Sequence, residues 1–371
     1  MRLRWTIWSI AALLTLALAG PSLAATGWTV PSAVSPRVYY ELSAAVDQQG
    51  HVNAVAERGN AIWYITNRTG SWTRARIFQA SAGQAVGSPS IAEGTDGSTH
   101  IAFDYQQCTY DTCGLDWPYY SQVRYTDDVG RTPGKFRPST TLDTGSGSPS
   151  IAVAGGRVYV AYQFYTPSGT DIEFLQSDRP WSSWSFGVVT STGAASTPSL
   201  KVGSDGRAQI AFDDFGIPAY AEGNLDNTSF TWSDILAGPA TGDEVNPRLA
   251  LGPGDVPVVA WTQVSRRAAD AGTWVSRLSR GTWHSTRATA DSGLNALAFT
   301  EDGLARPVLA FDTPSGIEVV QQMSGLWSTR KVASGSEIAD CIVFLGANGK
   351  ARLMFSADGG ASVGTFVSSS K

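Results

Sequence analysis

The chain has 371 residues, 27 basic against 32 acidic, and the basic count falls to 25 once Arg2 and Arg4 are set aside. An acidic balance excludes the basic face that a nucleic-acid partner requires. With 39 glycines, 13 tryptophans and only 16% charged residues, the composition is that of an all-β chain with many tight turns.

The chain opens with Arg2 and Arg4, an apolar run from Trp5 to Ala19, the breakers Gly20 and Pro21, and the small-residue site Ser22-Leu23-Ala24. This is the order of a secretory signal, with cleavage expected after Ala24. The division is then a signal peptide over 1–24 and one mature domain over 25–371, secreted to the extracellular space. The apolar run is shorter than the roughly 20 residues a spanning helix needs, so no membrane insertion is expected.

A repeat follows. Ser88-Pro89-Ser90-Ile91-Ala92, Ser148-Pro149-Ser150-Ile151-Ala152, Thr197-Pro198-Ser199-Leu200 and Asn246-Pro247-Arg248-Leu249-Ala250 are copies of one unit. Each precedes a Gly-containing turn and a small apolar signature: Ile101-Ala102-Phe103, Val160-Ala161-Tyr162, Ile210-Ala211-Phe212 and Val259-Ala260-Trp261. Leu309-Ala310-Phe311 continues the series, and Ala54-Val55-Ala56 and Leu353-Met354-Phe355 are its weaker ends. The proline station recurs at Leu42, Pro89, Pro149, Pro198, Pro247, Asn295 and Cys341, spaced 46 to 60 residues apart. An aromatic keeps phase with it: Trp28, Trp72, Phe136, Trp184, Trp232, Trp283 and Trp327.

Each period holds four short β-type runs. In the second they are expected near 90–93, 100–104, 122–125 and 136–142. Four strands per unit of this length is a propeller signature. Trp28 begins an outermost strand with no third strand before it, and 362–366 is a third strand with no outer strand after it. Pairing them predicts a seven-bladed β-propeller of four-stranded antiparallel blades, its ring closed by residues 27–33 on the C-terminal blade. The phased aromatics are expected to pack between blades.

The layout resembles the sialidase-like, Asp-box class of β-propellers. Thr126-x-Asp128-x-Gly130-x-Thr132, followed by Phe136, is the best copy of the box, with eroded versions at 67–72, 279–283 and 324–327. The resemblance implies a structural role for these boxes, away from the active face. Sialidases have six blades, a cluster of three arginines, a catalytic acid and a Tyr–Glu nucleophile pair. Arg248, Arg266 and Arg267 are available here, but no family motif surrounds them.

In this layout a site belongs at the channel mouth. The ends of the second strands supply Glu57, Asp104, Gln163, Asp213, Thr262, Asp312 and Ser356, a polar set rich in carboxylates that suits sugar hydroxyls, a cation, or acid–base work. The alternative role for each is to cap a strand end or bond loop backbone. The long loop 105–121 adds Tyr110, Asp111, Asp116, Trp117, Tyr119 and Tyr120, and Cys108 and Cys113 can clip it by a disulfide in an exported protein. This loop either presents a sugar-stacking surface or folds down over its own blade. Cys341 is expected to be buried as a small apolar group. The histidines His51, His100 and His284 show no metal-ligand spacing, and neither a metal nor another cofactor is expected, with calcium left open.

Three readings follow. The first is a secreted recognition module, a monomer, binding glycan or another extracellular surface at the mouth. The second is an extracellular glycoside hydrolase or polysaccharide lyase using Asp104, Asp213 or Asp312. The third is an interaction scaffold with no small-molecule site. Whether the protein is an enzyme is left open.

Overall fold

The computed structural model describes residues 27–28, 32–35, 37–108, 120–178, 183–224, 229–235, 246–263, 271–290, 297–301, 306–313, 316–323, 325–334, 338–345, 351–357 and 360–367. Signal residues 1–24 and the cleavage site at Ala24 lie outside them, as do Tyr110, Asp111, Cys113, Asp116, Trp117, Tyr119, Arg266 and Arg267. The described chain is an all-β propeller. Six antiparallel four-stranded sheets follow in chain order over 40–79, 85–144, 146–190, 195–234, 248–289 and 297–334, here the first to sixth sheets. The first strand of each is innermost.

The expected uniform four-stranded blade does not extend to the remaining, terminal sheet. This has five strands: Ile338–Leu345, Ala351–Ala357, Gly360–Val367 and, from the other end of the chain, Gly27–Trp28 and Ser32–Ser35. Both N-terminal strands lie on Gly360–Val367, with Trp28 opposite Phe366 and Ser32 opposite Val363.

Each sheet is apolar on both faces, so each needs a neighbour on either side. One cluster joins the second and third sheets through Val123, Ile151 and Val160; another joins the third and fourth through Phe174, Leu200 and Phe212. The terminal sheet packs on the sixth through Cys341, Val343 and Val308, and on the first through Phe344, Met354 and Val52. Cys341 is buried, as its station implied.

The phased aromatics whose side chains are described pack between sheets. Phe136 meets Tyr64 edge-on at 4.9 Å, Trp184 meets Tyr125 at 5.3 Å, and Trp283 meets Tyr220 at 5.2 Å. Each partner lies on the third strand of the preceding sheet. In the second sheet the strands run Ala85–Glu93, Thr99–Gln106, Ser121–Asp127 and Thr140–Thr144. The outer strand therefore starts after Phe136, which packs from the preceding turn.

The Ser-Pro-Ser repeat has two physical roles. First, it makes a β-bulge. Gly87 faces Asp104 and Ser90 faces Ala102, so Ser88 and Pro89 together oppose Phe103 alone. The same shift falls at 40–43, 147–150 and 196–199. The bulge residue takes a left-handed φ in four sheets, Glu41 (50°), Ser88 (45°), Ser148 (49°) and Thr197 (49°), as does Asn246 (33°) at the same station before the fifth. Secondly, the serine after the proline ties one sheet to the next. Ser43 Oγ accepts the Ile91 N–H (3.3 Å), Ser90 the Ile151 N–H (3.1 Å), Ser150 the Leu200 N–H (2.9 Å) and Ser199 the Leu249 N–H (3.0 Å). Arg248 stands at this station in the fifth sheet, opposite Ala260.

On the face away from the bulges, Arg68 joins the first two sheets. It pairs with Glu93 (2.5 Å), Asp47 (3.2 Å) and Asp128 (3.5 Å), all four side chains being nearly buried. Asp128 also accepts the N–H groups of Thr99 and Gly134, both at 2.7 Å.

Candidate functional site

The inner strands enclose a central cavity of about 940 Å³. At the bulge end it is lined by Tyr40, Glu41, Ser88, Ser148, Thr197 and Asp340. The backbone explains why these residues are at the mouth. A bulge turns its extra residue out of the ladder, so its side chain or its amide faces the channel instead of a neighbouring strand.

The freed amides are taken by carboxylates of the preceding sheet. Ser88 N–H donates to Glu41, Leu42 N–H to Asp340, and Ser148 N–H to Asp104 Oδ2 at 3.0 Å. Gly87 and Gly147 make room for this. A Cβ at Gly87 would lie 2.9 Å from the Glu41 carboxylate, and one at Gly147 3.2 Å from the Tyr165 hydroxyl and 3.3 Å from Asp104.

Behind the mouth, Asp104 is strongly perturbed. It is buried, and its second oxygen, Oδ1, has no hydrogen-bond partner. Burial pushes its pKa up to about 8, against the Ser148 N–H and helped by the Glu41 charge. It therefore holds a proton at neutral pH. Glu41 is also raised, by burial first, with the Ser88 N–H opposing and the Glu57 charge adding. Burial, then the charge of Asp104, lifts the nearby Tyr165 hydroxyl to about 12. Glu41 is exposed at the mouth, and the buried Asp104 carboxyl and the Tyr165 phenol lie behind it.

The residues expected at the mouth divide accordingly. Arg248 lines the channel. Glu57, Asp104, Gln163 and Asp213 do not; they sit one strand further out, because second-strand side chains meet the bulge from behind. Glu57 Oε1 accepts the Asn60 N–H (3.0 Å) and Asp213 Oδ1 the Gly216 N–H (2.7 Å), each within its own hairpin. Burial pushes Asp213 up to about 6, with the Gly216 N–H opposing and the Asp214 charge adding. Gln163 is half-buried opposite Gly147. Thr262 is buried, and Ser356 accepts the Tyr39 N–H at 2.7 Å. Asp312 lies in the strand Pro307–Thr313, opposite Ile317. Tyr120 is 49% exposed at the end of the long loop, where its carbonyl receives the Gln107 N–H. Cys108 is described, but its expected partner Cys113 is not.

Tyr40, Glu41, Ser88, Ser148, Thr197, Lys201 and Asp340 were not among the expected ligand-binding residues. A signal for their station was present: a proline inside a strand is confined to an edge or a bulge, and the Ser-Pro, Thr-Pro and Asn-Pro steps mark both.

Among the described residues no group of three or more His, Cys, Asp or Glu is placed to hold a metal ion. Nor is any described helix long and apolar enough to cross a membrane.

No family model matches the chain, and no curated protein matches it. Solved structures do. A catalytically inactive virginiamycin B lyase from Staphylococcus aureus is 13% identical with a TM-score of 0.60, over 91% of this chain and 98% of that one. The polysaccharide lyase Uly1 is 12% identical with a TM-score of 0.54, over 95% and 94%. The NanB sialidase from Streptococcus pneumoniae is 10% identical with a TM-score of 0.52, over 92% and 70%. At these identities the likeness establishes the β-propeller fold and nothing finer.

Proposed function

We propose that the protein binds carbohydrate at the bulge-lined mouth of the channel. One observation carries this reading. Successive inner strands put Glu41, Ser88, Ser148 and Thr197 into a costly left-handed conformation at one opening, beside a tyrosine, Tyr40, that is 51% exposed. Hydroxyls, a carboxylate and an aromatic face around a cavity of this size are what a sugar needs: acceptors and donors for its hydroxyls, and a ring to stack on. The neighbours named above include proteins whose names concern polysaccharide or sialic acid chemistry, which is compatible with a saccharide ligand. Long-loop residues Tyr110, Asp116, Trp117 and Tyr120, clipped by Cys108 and Cys113, would extend the surface.

The reading treats the molecule as a secreted monomer, released after Ala24, with a closed wheel of seven blades. What supports seven is the five-stranded terminal sheet, packed on the first and sixth sheets and completed by the N-terminal strands. What supports the Asp-box resemblance is Asp128, which caps turn amides on the face away from the mouth.

A glycan array followed by calorimetry tests the proposal. Tyr40→Ala and Glu41→Gln should each weaken the selected glycan about tenfold or more, the size of a lost charged hydrogen bond or stacking contact. Absence of any glycan ligand, or unchanged affinity in both variants, refutes it.

A second reading is favoured by Asp104, a carboxyl that keeps its proton at neutral pH close to the ionisable Glu41. That pairing resembles the raised acid and lower-pKa carboxylate of glycan cleavage. Reducing-sugar release and unsaturated-product absorbance on mixed polysaccharides, with and without Asp104→Asn, decide it.

A further inference from the structure

Lys201 has no counterpart in the repeat. It lies on the inner strand of the fourth sheet, opposite Gln209. The same station holds Ala45 opposite Asn53, Ala92 opposite His100, Ala152 opposite Tyr159 and Ala250 opposite Val258. Alanine is thus sufficient for packing there, and it keeps the channel open. The lysine lines the channel instead. Solvent reaches it, yet the surrounding sheets pull its pKa below the ordinary lysine value through burial.

Exposed to the channel, the Lys201 ammonium attracts anions that enter it. The carboxylates lining the same channel have other partners, Asp340 acting on Arg248 as well. Glu41 receives the Ser88 N–H, Asp340 receives the N–H groups of Leu42 and Cys341, and Glu93 is held by Arg68. No hydrogen bond or ion pair involves Lys201 among the described residues. On the next inner strand Arg248 takes a station that is serine in the first four sheets, and it lines the same channel. Burial lowers its pKa too, with Asp340 opposing. Two departures from the repeat, on adjacent sheets, therefore both bring a cation to one cavity.

We propose that the channel is an anion-binding site anchored by Lys201, with Arg248 as the second cation, and that it takes an oxyanionic group. Phosphate or sulfate and the carboxylate of an acidic sugar share this chemistry. The site shares the channel with Tyr40 and Glu41 but uses other residues, and it does not depend on sugar binding there.

Calorimetric titration of the full mature chain at fixed ionic strength separates the cases. The probes are inorganic phosphate, inorganic sulfate and a digalacturonate. Saturable one-to-one binding is expected for at least one, weakened about tenfold or more by Lys201→Ala and by Arg248→Gln. Lys201→Ala installs the residue four other sheets carry, so an unchanged thermal midpoint without anion should accompany the loss. Tyr40→Ala should leave inorganic anion binding intact even if it abolishes glycan binding, so the two readings fail separately. Digalacturonate binding more tightly than the inorganic ions points to a glycan carboxylate; the reverse points to a free oxyanion. No saturable binding of any probe, or equal affinity in Lys201→Ala, overturns the proposal.

Discussion

The two faces of the propeller treat their carboxylates differently. On the far face Glu93, Asp47 and Asp128 converge on one guanidinium, Arg68, and Asp128 takes two turn amides as well. At the mouth Glu41, Asp104 and Asp340 are met chiefly by backbone N–H groups of the next sheet. Arg68 locks two sheets together and helps hold Asp47 below its ordinary value, although burial still pushes Glu93 up to about 8 against the pull of the guanidinium. A single amide is a weaker hold, and it leaves Asp104 with a bare buried oxygen and a proton at neutral pH. One face gathers its acids around a cation; the other sets them against backbone amides.

The sharpest way to break this comparison is to remove the cation. Arg68→Ala leaves three acids facing one another with little solvent and should cost about 3–5 kcal/mol of stability, the usual penalty for breaking a buried pair. Urea denaturation measures it, and a loss below about 1 kcal/mol would show that the far face is not locked as described.

Asp104→Asn probes the other side. In the unfolded chain the carboxyl ionises near its ordinary value of 3.8; in the fold it keeps its proton up to about 8. Between those values the folded state binds more protons, so stability falls as pH rises, by up to about 1.4 kcal/mol per pH unit for one group. Asparagine imitates the protonated acid and should flatten that slope between pH 5 and pH 8. Parallel denaturation curves for wild type and variant across the window would mean that Asp104 is ionised in the fold.

The repeat was legible in the sequence because it is built from local chemistry. A proline that cannot donate, a hydroxyl that can accept, and an aromatic at constant phase each leave a residue-level trace. The mouth was legible only in part. Asp104 and Asp213 were visible as polar strand ends, but the bulge that moves the lining to Glu41 and Ser148 is a matter of register between strands, and register is not written in either strand alone. Lys201 could have been noticed as a charge among alanines. What made it informative is the channel, which exists only once the sheets are arranged around an axis.

Smaller effects sharpen the picture of how the sheets hold together. Ser90→Ala, Ser150→Ala and Ser199→Ala each remove the acceptor of an amide on the next inner strand, and each should cost about 1 kcal/mol. Arg248 occupies the equivalent station, so Arg248→Ala should not follow the serine series. If the serine variants match wild type in urea, water replaces the hydroxyl and the stapling account is wrong.

Phe215 offers the finest test, because the fold and the mouth want opposite residues there. It follows Asp213 and Asp214 at the tip of the hairpin between the strands Arg207–Asp214 and Ile217–Asn224, on the mouth face. Its φ is 53° and that of Gly216 is 76°, the geometry of a two-residue turn that favours Asn-Gly. A bulky side chain is disfavoured at positive φ, and this one is 72% exposed, so packing does not explain it. Phe215→Asn should therefore stabilise the protein by about 0.5–1 kcal/mol, the scale of a relieved backbone conflict. If the ring serves the ligand, the same variant should bind glycan less well while melting higher. A variant that melts lower would show that the phenyl ring contributes to the fold after all.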